Sequence, residues 1–245
     1  MKPKVSIARL AGFGTMALAG LIWAEETRSV SLEHAGSNAA RRGDAYDVDA
    51  QGIPRFVEVD YIELSKIARV SRFRSGVGHD YPDDFESCRS MKHYFEPARA
   101  ADWARVQIRS PVAGTVAGLE REWAGVQVRI RSREFPAFCI IVFHVRLRQP
   151  LAVGDSLAAG QLLGTHVGNE TVSDLAVGVN TPRGWKLLSY FDVMTDRLFH
   201  QYKRRGLNAR SDAIISKAAR DREPLSCTGA TFQNPDTLTN WVTLR

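Results

Sequence analysis

From position 108 to 168, apolar residues recur in short stretches separated by glycine, proline and charged positions, a spacing that predicts a run of short strands. Residues 108–116 set Pro111 and Gly114 among small and β-branched residues, as in a strand that turns sharply and begins again. Residues 126–131 (VQVRIR) alternate apolar and polar positions, the period of a half-buried strand. Residues 138–143 (FCIIVF) are continuously apolar, which predicts a strand covered on both faces. Two turn signals, Val153-Gly154-Asp155 and the stretch around Gly160, bracket a further short strand. The expected fold is mainly β, a small closed barrel or sandwich.

Outside this stretch the pattern changes. Residues 25–55 are polar and without period, and read as a leader or linker. Residues 56–61 alternate, as an edge strand would, and a short helix is expected over 62–70. Leu187, Leu188, Phe191, Met194, Leu198 and Phe199 fall near helical spacing within 185–202, with Gly206 as a stop signal. A second short helix is expected over 212–219, and the tail around Trp241 and Val242 is expected to return as a strand. These helices are expected to cover the β core.

At the N-terminus, Lys2, Lys4 and Arg9 precede an uncharged run of 15 residues, 10–24, that ends at Ala24 before Glu25 and Glu26. A basic start, a short apolar core and a small residue before acidic ones predict a cleaved export signal over 1–24. The run is shorter than the ~20 residues needed to span a bilayer. The expected organisation is therefore a signal over 1–24, a leader over 25–70, the β core over 71–184 and a helical extension over 185–245. The protein is expected in the periplasm or at the cell surface, with no integral membrane segment once the signal is removed.

The chain has 245 residues and 44% hydrophobic content, enough for one good core and accessory elements. Its net charge of +6 suits an anionic partner, cell wall or nucleic acid. The positive residues are scattered apart from Lys203-Arg204-Arg205, which weighs against nucleic acid. The three cysteines, Cys88, Cys139 and Cys227, have no CxxC spacing, which argues against a structural thiolate zinc site. Cys88 and Cys227 lie in loop-like sequence and could pair in an oxidising compartment, whereas Cys139 sits inside an apolar strand as a core residue.

Candidate chemistry concentrates at residues 79–86, where one histidine and four carboxylates (His79, Asp80, Asp83, Asp84 and Glu86) fall within eight positions. Zinc needs imidazole or carboxylate ligands converging on one point with a position left for water. His144 ends the apolar strand in Phe143-His144-Val145.

Taken in order, SPVAGTV, VQVRI, the strand ending FHV, and PLAVGDSLAAGQLLGTHVG resemble the duplicated hybrid motif barrel. More narrowly, they resemble the lysostaphin-type zinc peptidases, which cut peptide bridges of bacterial cell wall. The resemblance covers about residues 74–180, and VGDSLAAGQLLG within it is shared with lipoyl carriers and with the glucose-type phosphocarrier of the sugar phosphotransferase system.

The resemblance implies an HxxxD motif for the first two zinc ligands, matched by His79 and Asp83. A second register, Gly78-His79-Asp80-Tyr81, would make Asp80 the ligand. It also implies that His144 orients or protonates the substrate's developing oxyanion. The family's late HxH motif, whose second histidine is the third ligand, is replaced here by Val172 and Asp174. Asp is a legitimate zinc ligand, so the implied metal set is His79, Asp83 and Asp174. Losing a histidine at Val172 removes a proton-transfer partner, for which His166 or His93 could compensate.

Three functions follow as expectations. The first is an exported zinc metallopeptidase acting on peptidoglycan. The second is a non-catalytic protein of the same fold that binds wall or regulates a hydrolase. The third is a carrier or phosphotransfer module. No lysine occurs between Lys92 and Lys186, which removes the lipoyl version of the third.

Overall fold

The computed structural model describes residues 45–245, so the expected export signal and the first part of the leader lie outside the described residues. After a one-turn helix, α1 (Val48–Gln51), the chain enters β1 (Ile67–Ser71), β2 (His93–Pro97) and β3 (Gln107–Arg109). The strands expected from the period-two and apolar stretches follow: β4 (Gly114–Arg121), β5 (Val126–Ser132) and β6 (Phe138–Leu147). Then come β7 (Ser156–Leu157), β8 (Leu162–His166), β9 (Ser173–Thr181) and β10 (Gly184–Leu188). Three short helices, α2 (Tyr190–Val193), α3 (Asp196–Lys203) and α4 (Lys217–Arg222), lead to a small hairpin, β11 (Cys227–Thr228) and β12 (Thr231–Phe232), and to β13 (Trp241–Thr243).

The fold is mainly β, as expected. One antiparallel sheet runs in the order β13-β1-β2-β9-β6-β5-β4-β7, with β10 paired to β9 and β8 paired to both β6 and β3. The path starts at β13 and finishes at β7, so the sheet is open and not the closed barrel expected from the sequence.

The apolar run of β6 is explained by burial on both faces. Ile140 and Val142 join the main core with Val128, Ile130, Leu175, Val177 and Phe95. Ile141 and Phe143 point the other way, into a smaller cluster with Phe73, Met91, Ala176 and Leu187. Over that second face lies the loop 74–90, which the chain's tail holds in place. A Cys88–Cys227 disulfide joins the two segments, the Asp80 amide donates to the Ala230 carbonyl at 2.8 Å, and the Gly76 amide donates to Asp236 and Asn240.

Several expected elements differ. The edge strand expected over 56–61 is reduced to a single bridge of Val57 to Met194, and the helix expected over 212–219 is a 3-10 turn (Arg210–Ala213) followed by α4. The short elements expected between the leader and residue 70 belong to the β core, because Phe56, Val57, Tyr61 and Ile62 are buried in it and β1 lies between β2 and β13. A 3-10 turn (Leu64–Lys66) and the first four residues of β1 take the place of the helix expected over 62–70. The helix expected over 185–202 is broken into β10, α2 and α3. Trp185 shares a face of β10 with Leu187 and covers Gly178 of β9, where a Cβ would lie 1.8 Å from the indole. Ser189 and Thr195 then accept hydrogen bonds from the amides of Phe191 and Leu198, so each begins a new short helix. Tertiary pairing outweighs helical periodicity here.

Candidate functional site

β6 pairs with β9 over Phe138–Val142 and with β8 over Val145–Leu147, so one edge of the strand changes partner between the two. Opposite, the register of β5 shifts between Val126 and Val128 against Val145 and Val142. His144 sits in this bulge with φ at +59°, a left-handed backbone that a non-glycine residue adopts only where its surroundings enforce it. Gly125, at φ +83° in the β4–β5 hairpin, makes room for it. A Cβ on Gly125 would come within 3.0 Å of the His144 carbonyl carbon and of the Val145 oxygen.

The bulge turns the imidazole into a buried string of charged groups. His144 Nδ1 lies 2.9 Å from the Ala124 carbonyl oxygen and 3.2 Å from Glu122 Oε2, which also accepts the His144 amide. On the other side, His144 Nε2 lies 3.3 Å from Asp174 Oδ1, and Lys92 Nζ lies 2.6 Å from Asp174 Oδ2. The ring is thus held by hydrogen bond through Nδ1 to the Ala124 carbonyl, while Nε2 faces Asp174 Oδ1 without a hydrogen bond between them. Asp174, on β9, is fully buried, and Lys92, just before β2, is 3% exposed.

The Lys92 ammonium also faces aromatic rings, 4.1 Å from the centroid of Phe143, 4.8 Å from Tyr81 and 5.2 Å from Tyr94. Burial alone would push its pKa down, but Asp174, with Tyr94 and Tyr81, more than offsets this and holds the amine charged. Burial raises the Glu122 carboxyl above its usual range despite the opposing effect of His144.

These residues do not fit a zinc ion. Among the described residues, no three His, Cys, Asp or Glu side chains gather as a metal would require, and the expected set of His79, Asp83 and Asp174 is not brought together in this way. The chemistry of each donor explains why. Asp83 is buried and both its oxygens serve the backbone: Oδ1 accepts the amides of Phe85 and Glu86, and Oδ2 accepts that of Leu187, each at 2.8 Å. It is a clamp tying the 81–86 loop to β10. His79 is exposed, its Nδ1 2.7 Å from the Asp80 carbonyl oxygen, and the Asp80 carboxylate accepts the Arg89 amide, so the second register gives no metal set either. Asp174, at the position implied for the third ligand, is engaged by Lys92.

Two further histidines, His166 and His93, are interior. His166 is fully buried, its ring stacked 4.4 Å from that of Trp103, and its pKa is pushed down to about 4 by burial first and by His144 second. His93 is bridged between the Ser71 carbonyl oxygen at 2.7 Å and the Ser189 hydroxyl at 2.9 Å, and burial pushes it down to about 4. Both are neutral rings at physiological pH.

Beside His144 opens a groove of about 390 Å³ between the β4–β5 hairpin and the β8–β9 loop, lined by residues that include Arg121, Glu122, Trp123, Arg146 and Glu170. Trp123 is 75% exposed, with its ring 5.7 Å from that of His144. Sequence reading passed over Lys92, Glu122 and Trp123. The signal for Lys92 was its isolation within Met91-Lys92-His93-Tyr94-Phe95, where a lone cation in a buried strand demands a counter-charge. For Trp123 it was the Glu122-Trp123-Ala124-Gly125 turn, a large aromatic at a hairpin tip.

No family profile matches the chain, and no curated protein matches it in sequence. Among solved structures, it is similar to one assigned as a glycyl-glycine endopeptidase, LytM, from Ruminococcus gnavus. The identity is 17% and the TM-score 0.33, over 42% of this chain and 43% of that one.

Proposed function

We propose that this chain is an exported, non-catalytic protein that binds peptidoglycan. The observation that carries the loss of catalysis is Lys92 on Asp174. The carboxylate implied as the third zinc ligand has a resident ammonium at 2.6 Å in its place. A second resident, the Asp83 clamp, holds three backbone amides where a ligand would need free lone pairs. The wall as partner is supported by the order of sequence motifs along the β core and by a positive net charge against an anionic polymer, +6 for the full chain less the three cations Lys2, Lys4 and Arg9 of the signal. Export is supported by the basic and apolar pattern of residues 2–24 and by the Cys88–Cys227 disulfide.

The test uses purified mature chain, sedimented with intact sacculi, with zinc measured by mass spectrometry and wall peptides by chromatography. The expected result is co-sedimentation, zinc far below one equivalent, and no peptide release in added zinc. One equivalent of tightly held zinc together with released wall peptides would overturn the non-catalytic reading. Failure to sediment would overturn the wall partner.

A further inference from the structure

We propose that the groove beside His144 takes a pyranose saccharide, stacked on Trp123. This deepens the wall-binding reading by naming the glycan strand, and not the stem peptide, as the part of the polymer recognised.

The groove has the size and make-up of a small-ligand site, since such sites span roughly 300–1,000 Å³ and combine apolar walls with a few placed polar groups. Its apolar walls are Val126, Leu147 and Val167, and its floor lies against the His144 bulge. Trp123 is 75% exposed, and a ligand covering its indole would remove that apolar area from water. One face of a pyranose ring carries C–H groups of slightly positive character, and these match the negative face of the indole.

The polar complement fits the ring's edge. Hydroxyls both donate and accept, so they are matched by carboxylates beside guanidiniums. Glu122 and Glu170 supply the acceptors, and Arg121 and Arg146 the donors. Arg146 is oriented by its own bond from Nη2 to the Val167 carbonyl oxygen at 2.9 Å, and Glu122 by the His144 amide at 3.2 Å. Two carboxylates against two guanidiniums leave the groove with no net charge, which suits an uncharged hydroxylated ligand over a charged peptide terminus. The buried string therefore has a use without a metal. Lys92 pairs with Asp174, which lies against the imidazole of His144, the Ala124 carbonyl and Glu122 hold the ring and the amide of His144, and the bulge fixes the wall on which the saccharide lies.

The experiment is calorimetric titration of the full mature chain with soluble N-acetylglucosamine oligomers and, separately, with a free stem peptide. Oligomer binding that falls at least about tenfold in Trp123→Ala, is largely retained in Trp123→Phe, and is absent for the peptide supports the inference. Trp123 sits exposed at a hairpin tip, so the Ala variant is expected to keep its melting temperature, which is measured alongside. Oligomer binding unchanged by Trp123→Ala, or binding of the peptide alone, overturns it. The two proposals fail separately. A chain that sediments with sacculi but ignores the oligomers loses the saccharide and keeps the wall. One that binds oligomers but not sacculi keeps the groove and loses the wall.

Discussion

Lys92 shows how one side chain can redirect a site. A cation covalently tethered to the chain pairs with Asp174, and three aromatic rings complete its surroundings. A buried ion pair gives little net stability compared with a well-packed apolar pair, but losing one partner leaves the other charge uncompensated. Lys92→Ala is therefore expected to destabilise the chain by about 3–5 kcal/mol in urea unfolding at neutral pH. Lys92→Met combined with Asp174→Asn should recover most of that loss, because the change removes the charge along with its partner. A cost of Lys92→Ala within about 0.5 kcal/mol of zero, the range of ordinary surface changes, would show that the pair does not hold this face together.

Among the elements, the central strands were legible in the sequence, and the edge strands and helices only partly so. β4, β5 and β6 stand where alternation or a continuous apolar run placed them, because both patterns follow directly from which faces of a sheet are buried. β10 was missed because Trp185, Leu187 and Leu188 satisfy helical and strand spacing alike over five residues, and only the presence of β9 as a partner decides between them. The 79–86 loop was misread for a related reason. Acidic residues at metal-like spacing and acidic residues that cap backbone amides look the same in one dimension. Asp83 is the case in point, and its two roles differ in what a mutation does. Asp83→Ala should cost about 2–3 kcal/mol by releasing three amides of the loop and β10. In hydrogen exchange, protection should fall first at Leu187. A metal ligand would behave differently, with metal content lost and little change in the stability of the metal-free chain.

Across the whole described chain, the tail is what converts an open sheet into a covered one. The segment after α4 returns over the 74–90 loop, where Arg220, fully buried, donates to both Asp236 oxygens and to the Arg74 carbonyl, and β13 finally pairs with β1 at the sheet's end. Cys88 and Cys227 lock that return across 139 residues of sequence. A cross-link of such length restricts the unfolded chain strongly, and removing one from an exported domain typically costs about 2–5 kcal/mol. The remaining thiol, Cys139, lies within β6, and burial pushes its pKa up to about 11, so it is a poor partner for exchange. Chain recovered from an oxidising compartment and denatured without reductant should therefore titrate one thiol, and three after reduction. Reduction under native conditions should lower the urea midpoint and expose residues 223–240 to proteolysis before the β5–β6–β9 sheet, which has its own two-sided core. Three free thiols in the unreduced chain would remove the covalent lock and, with it, the structural support for an exported protein.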